Sequence, residues 1–220
     1  MPDTTIFEHP LNEKCRTWLR LSHLFEQLDF HLPEAEEWHA RAAMTALLDI
    51  ANVLSRADIK SELLKELERY RSSFSKMADS PGVDTERLHS VLEELKRTCG
   101  GVQAVKGQLG QALRSNEFLS GIVQRSSIAG GGFDFDLPQY HLWLQMSQEE
   151  RAQQLDGWRG EIAPVHQAVE LLIGLIRNSA VPSREEAPSG FYQRSLPSGV
   201  SAQLVRVAVP ANDPLYVEIS

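Results

Sequence analysis

The 220-residue sequence predicts a mainly α-helical protein with a small C-terminal antiparallel β-part, an α+β arrangement of a helical bundle plus a short sheet. Three observations carry this. Apolar residues recur at three- and four-residue spacing over the first ~180 positions. Proline- and glycine-bearing turns interrupt that pattern and cut it into separate helices. After Asn178 the pattern changes to a Pro-, Ser- and Glu-rich stretch followed by alternating, β-branched runs. The expected division is a helical domain over residues 1–180 and a partial β-strand domain over residues 181–220.

The opening stretch FEHPLNEKCRTWLRLSHLFEQL places Cys15, Trp18, Ser22 and Phe25 on one helical stripe, widened by Leu11, Leu19 and Leu28. Pro10 suits the first helical turn or the loop before it, and Asn12 is placed to cap the helix with Glu13 beside its positive end. Pro33 breaks the pattern. A second helix is expected to carry Met44, Leu47, Leu48, Ala51 and Leu54. A third runs from about Asp58 through Ile59, Leu63, Leu67, Tyr70, Phe74 and Met77. The turn DSPGVD leads to a fourth helix capped by Asp84, with Val83 and Leu88 spaced as a hydrophobic staple, and Gly100-Gly101 is expected to end it. Short elements follow near Leu109–Leu113 and Phe118–Val123. Ser147 and Glu150 then read as a capping box for a long pattern through Leu155, Trp158, Ile162, Val165, Val169, Leu172 and Ile176. Pro164 inside that pattern predicts a kink or two helices. QLVRVAV and LYVEI read as strands, and so short a β-part needs further strands or the helices as support.

Composition bounds the function. Hydrophobic residues make up 42% of the chain and charged residues 24%, enough to build a core. The formal net charge of −8 argues against a general nucleic-acid binder. The charge is uneven, however. Five acids and no Lys or Arg lie between Glu26 and Glu37, whereas five basic residues and one acid, Glu117, lie between Lys96 and Arg125. The second segment suits an acidic partner if it forms one surface, and otherwise makes solvated helix faces. Two cysteines, Cys15 and Cys99, do not form a disulfide framework. No signal peptide is read at the N-terminus, and no apolar run approaches the ~18–20 residues that span a bilayer, so a cytoplasmic chain without a membrane partner is expected.

Recognisable catalytic chemistry is sparse. The triple glycine of AGGGFDFDLP lacks the lysine of a phosphate-binding loop and the spacing of a dinucleotide fingerprint. The seven histidines include no HxxxH or HExxH pair, which rules out a zinc site on one helix and leaves open one assembled from scattered residues. No metal or cofactor is expected. Glu8 and His9 resemble an acid/base pair, but adjacent side chains rarely aim at one point. Arg16, Arg20 and His23 share a helix face away from Trp18. That face reads either as an exposed stripe of weak ion pairs or as a docking surface for an acidic peptide.

The segments FEHPLNEKCRTWLRLSHLFEQL, SELLKELERYR, GVDTERL, QRSSIAGGGFDFDLPQYHLWL and GFYQ, in this order, resemble the ZapD family of bacterial cell-division proteins. The resemblance spans Phe7 to the LYVEIS end. It implies a non-enzymatic, cytoplasmic homodimer that binds the C-terminal tail of the tubulin-like GTPase FtsZ. Such a dimer bundles FtsZ protofilaments at the midcell division site. It further implies that Arg20, Arg56, Arg125 and His141 match the family's basic recognition surface; the charge pattern adds Arg16 and Arg114. Two departures stand out. Glu117 occupies a basic position of the family, and family members continue past the point matching Ser220 into a basic strand, so a shortened β-part is expected. Two other readings remain beside this one: a helical enzyme with a scattered active site, and a structural dimer whose basic stripe is neutralised by its own acids.

Overall fold

A computed structural model describes residues 4–34, 36–78, 81–126, 133, 135–196, 202–211 and 215–219. The elements in chain order are β1 (Thr4–Pro10), α1 (Glu13–His31), α2 (Glu37–Val53), α3 (Ile59–Ser75), α4 (Thr85–Ala104), α5 (Gln111–Arg114), α6 (Glu117–Ser126), α7 (Pro138–Leu144), α8 (Gln148–Arg177) and β2 (Leu204–Pro210). A mainly helical chain with one small antiparallel sheet is therefore observed. It falls into two compact units, Met1–Leu19 with Ile173–Ser220, and Arg20–Leu172.

In the larger unit, the apolar stripe of α1 buries Leu21, Phe25 and Leu28, that of α2 buries Met44, Leu47 and Ile50, and that of α8 buries Ile162, Val165, Val169 and Leu172. Polar contacts fix how α1 and α8 pair. Ser22 donates to Glu170 at 2.9 Å, Phe25 stacks on His166 at 4.2 Å, and Arg159 forks onto Asp29 at 2.6 and 3.3 Å. Partner numbers fall as α1 numbers rise, so the two helices run antiparallel. Helices α3 and α4 form an antiparallel hairpin closed where Lys60 donates to the Val105 carbonyl. Asp84 caps α4 by accepting from the Arg87 amide at 3.0 Å. Ser147 and Glu150 cap α8 reciprocally, as a capping box does.

Three expectations change and a fourth is narrowed. Helix α4 continues through Gly100-Gly101 to Ala104, and Val102, beyond the glycines, is fully buried. The apolar gain at Val102 outweighs the roughly 1 kcal/mol each glycine costs in a helix. Helix α8 runs through Pro164 as one element, so of the two expected outcomes the break into two helices does not occur. The ring removes one backbone donor, and the buried residues on either side hold the helix together across that gap. Leu11 is exposed and Leu21 takes its place in the core. Finally, Leu215–Ile219 forms no strand. The partner of β2 is instead β1, with Thr4 opposite Pro210 and Pro10 opposite Leu204. The triple glycine 130–132 lies outside the described residues.

The smaller unit is held by a carboxylate. A two-stranded ribbon alone is marginal in water. Glu8 on β1 faces Arg206 on β2 in register, with Arg206 Nε 2.8 Å from its carboxylate. Arg177 at the end of α8 adds a fork at 3.0 and 2.9 Å. Partial burial alone would raise the Glu8 pKa, but the hydrogen bonds and charges of Arg177 and Arg206 outweigh it and hold the carboxyl below its ordinary 4.5. A depressed folded-state pKa means the carboxylate stabilises the fold above pH 4.5, and that contribution is lost as pH falls through the folded value. Glu8→Gln is expected to cost about 2 kcal/mol near neutral pH, read as faster hydrogen exchange at the Phe7 and Val207 amides, and to flatten the acid-side loss of protection. Nearby, burial and the charge of Glu8 push the Cys15 thiol up to about 11. Cys15 should therefore stay unlabelled by a thiol reagent near neutral pH until the chain is unfolded.

Candidate partner-binding surface

The six basic residues picked out in the sequence fall into different situations. Arg16 belongs to the smaller unit, and its Nε donates to Glu13 one turn earlier at 3.2 Å. Such an exposed pair is worth a few tenths of a kcal/mol at most. The other five lie in the larger unit.

Arg20 is exposed on α1. Positions three and four residues away are Arg16, Thr17, His23 and Leu24, so its own helix offers no acid. Arg125 is exposed in the last turn of α6, where the residues one turn back are Gly121 and Ile122. Among the described residues neither guanidinium makes a hydrogen bond or an ion pair, a state shared with Arg87 and Arg184. Arg56 lies in the turn after α2 and pairs with Asp58 at 2.9 Å, both side chains about half exposed.

Arg114 is more constrained. It donates to the Leu109 carbonyl at 2.9 Å, to Gln108 at 2.8 Å and to Gln111 at 3.2 Å. The Gln108 amide in turn donates to the Ser55 carbonyl at 2.5 Å, next to Arg56. Gly110 makes this possible: its φ is +66°, and a side chain there would stand 3.3 Å from both Leu54 and Arg114. The turn bearing Arg56 and the loop bearing Arg114 are thus brought together, with Arg114 serving as their brace.

His141 is exposed on α7, which follows α6 and touches it through Phe118, whose ring is tilted against Tyr140 and Trp143 at 6.3 and 6.1 Å. Arg41 on α2 reaches over Tyr140 at 5.5 Å and ties α2 to α7. Between α6, α7 and α8 opens a cleft of ≈ 350 Å3 lined by Phe118, Leu142, Trp143, Met146 and Trp158, with Asn116, Gln139 and Gln154 at its polar points; His141 is not among its lining residues. Trp143 satisfies its indole by donating to Gln154 at 3.0 Å, so the lining is mostly apolar. Sequence reasoning missed this cleft. Its only signal was the recurrence of aromatics in three separate helices, which reads equally well as core.

The acid/base reading of the opening stretch meets a geometric answer. Glu8 and His9 are successive strand residues and point to opposite faces of the ribbon. Glu8 is engaged by two arginines and stays ionised. His166, stacked on Phe25, is pushed below its ordinary pKa by burial, against the pull of Asp29 and Glu170. Among the described residues no group of three or more His, Cys, Asp or Glu side chains could hold a metal ion. Also among them, no helix is long and apolar enough to cross a membrane.

Comparison with known proteins agrees with the resemblance drawn from the sequence. Residues 19–220 match the ZapD family, described as a cell division protein. A relative named cell division protein ZapD, from Enterobacter sp. (strain 638), is 41% identical over 220 residues, covering 100% of this chain and 87% of the relative. With the family matched over most of its length and a full-length relative at this identity, the chain belongs to the ZapD family of cell division proteins.

Proposed function

We propose that this chain acts in cell division by binding the C-terminal tail of FtsZ through a basic surface that includes Arg20 and Arg125. As a cytoplasmic homodimer at midcell, it would cross-link FtsZ protofilaments and so promote Z-ring assembly. One observation carries the choice of residues. On a chain of net charge −8, most described arginines are engaged by acids or carbonyls, whereas Arg20 and Arg125 are exposed and unengaged. A cation held in an internal pair must give up that pair to bind, and a free one does not. Arg56 contributes by exchanging its exposed pair with Asp58 for a tail carboxylate, and His141, exposed on α7, adds a donor. Arg114 supports the surface by bracing the loop under Arg56.

Bundling follows from bivalency. A dimer holding one tail presents its second site at high effective concentration to a neighbouring filament. Exposed Phe30 and Trp38, 71% and 77% accessible, supply apolar area of the kind a self-contact buries.

Co-sedimentation with GTP-assembled FtsZ tests the reading, run beside FtsZ lacking its C-terminal tail. The chain is expected to pellet with intact FtsZ alone. Arg20→Glu and Arg125→Glu should each weaken pelleting at least about tenfold, the loss of one charge-assisted contact. Pelleting unaffected by both together would rule out this surface. Raising salt toward about 1 M, where the screening length falls to about 3 Å, should release the wild-type chain. Sedimentation equilibrium of the chain alone should give twice its 24.7 kDa mass, and a monomer would remove the bundling mechanism.

A further inference from the structure

The corner between α1 and α2 brings two imidazoles together, their rings tilted by 58°. His31, the last residue of α1, and His39, in the first turn of α2, meet with their Nδ1 atoms 3.0 Å apart. The other ring nitrogen of His39, Nε2, lies 2.9 Å from a carboxylate oxygen of Glu34. The Glu34 carbonyl accepts a hydrogen bond from the Gln148 side chain at the start of α8. Both rings are half-buried, so the arrangement is ordered yet reachable from solvent. Seven residues, Pro33 among them, separate the two histidines, which is why no spacing motif reveals them.

Hydrogen bonding dictates where the protons sit. The Glu34 carboxylate accepts only, so His39 must carry its proton on Nε2, leaving a lone pair on Nδ1. His31 then donates its Nδ1 proton across the 3.0 Å gap. The separation of these two ring nitrogens also matches that of adjacent ligands on a transition metal. With metal–nitrogen bonds of about 2.0–2.1 Å, neighbouring nitrogens stand about 3.0 Å apart at right-angle coordination and about 3.3 Å apart in a tetrahedron. A carboxylate on the remote nitrogen of a ligating histidine is the arrangement that fixes its tautomer and strengthens it as a donor.

We propose that His31 and His39 form a two-imidazole site for a divalent transition metal of the Zn2+, Ni2+ or Cu2+ class. Glu34 is the positioning carboxylate and water completes the coordination shell. The metal takes both Nδ1 lone pairs, and the proton His31 held on Nδ1 is carried instead on its Nε2, so the neutral pair releases no net proton. With two protein ligands the site is open and exchangeable, unlike a closed four-ligand structural centre. Bound metal staples the last turn of α1 to the first turn of α2.

Calorimetric titration of the untagged full chain with Zn2+ alone, in a non-chelating buffer, tests the site. One saturable site per chain is expected. It should be lost in His31→Ala and in His39→Ala, weakened about tenfold in Glu34→Gln, and unchanged in His89→Ala, an exposed position on α4. Cu2+ provides a second measurement: its electron paramagnetic resonance signal should show two imidazole nitrogens in the wild type and one in either single variant. No saturable binding by the wild-type chain would overturn the proposal and leave the pair as a hydrogen bond closing the corner. Binding retained by the His31→Ala/His39→Ala double variant would overturn it equally.

Discussion

The antiparallel pairing of α1 with α8 in the larger unit is the constraint from which the proposed surface follows. Once Leu21, Phe25 and Leu28 are committed to the core, the helical period leaves Arg20 and His23 on the opposite side. The polar contacts Ser22–Glu170 and Arg159–Asp29 then fix the axial register, because each joins groups that would otherwise be left half-desolvated. An axial slip by one turn would separate all of these partners at once. The exposed arginine is thus a by-product of core packing, positioned by apolar residues that never touch a partner.

Charge on this chain is best understood by where each acid is placed. Arg16, Arg41, Arg69 and Arg71 each have a glutamate three or four residues earlier on their own helix, and each pairs with it. Arg159 and Arg177 reach acids distant in sequence, Asp29 and Glu8. Arg20 and Arg125 have neither. An acidic protein can present a basic surface in this way, by withholding local counter-charges from a few positions rather than by accumulating many cations.

Much of the fold was legible because it is written in local chemistry. Asn12, Asp84 and the Ser147–Glu150 pair cap the helices their positions announce, and the stripes from Trp18 to Phe25 and from Leu63 to Tyr70 are buried as their spacing requires. What escaped depends on residues far apart in the chain. Thr4–Pro10 carries β-prone residues in TTIF but no regular alternation, and only its pairing with Leu204–Pro210 makes it a strand; Gly100-Gly101 stops a helix only if nothing packs beyond it. The absence of acids around Arg20 and Arg125 could be read from spacing, whereas the bracing role of Arg114 required seeing Ser55, Gln108 and Gly110 converge. The apolar cleft between Phe118, Trp143 and Trp158 and the imidazole pair at the α1–α2 corner arise the same way, from side chains that only the tertiary fold brings side by side.

Pairing residue 10 with residue 204 also has a consequence in time. At roughly 5–20 residues per second of synthesis, β1 leaves the ribosome on the order of 10 s or more before its partner exists. Throughout that interval its backbone donors and acceptors face water, and an unpaired apolar strand would be a template for aggregation. The segment's own composition answers the hazard: a glutamate, a histidine and a terminal proline stand in EHP, each a poor guest in an adventitious sheet. The Glu8 carboxylate therefore acts twice, first as a solubilising charge on a waiting strand and later as the anchor that Arg177 and Arg206 close upon. The ribbon can form only once its second strand, Leu204–Pro210, has been made.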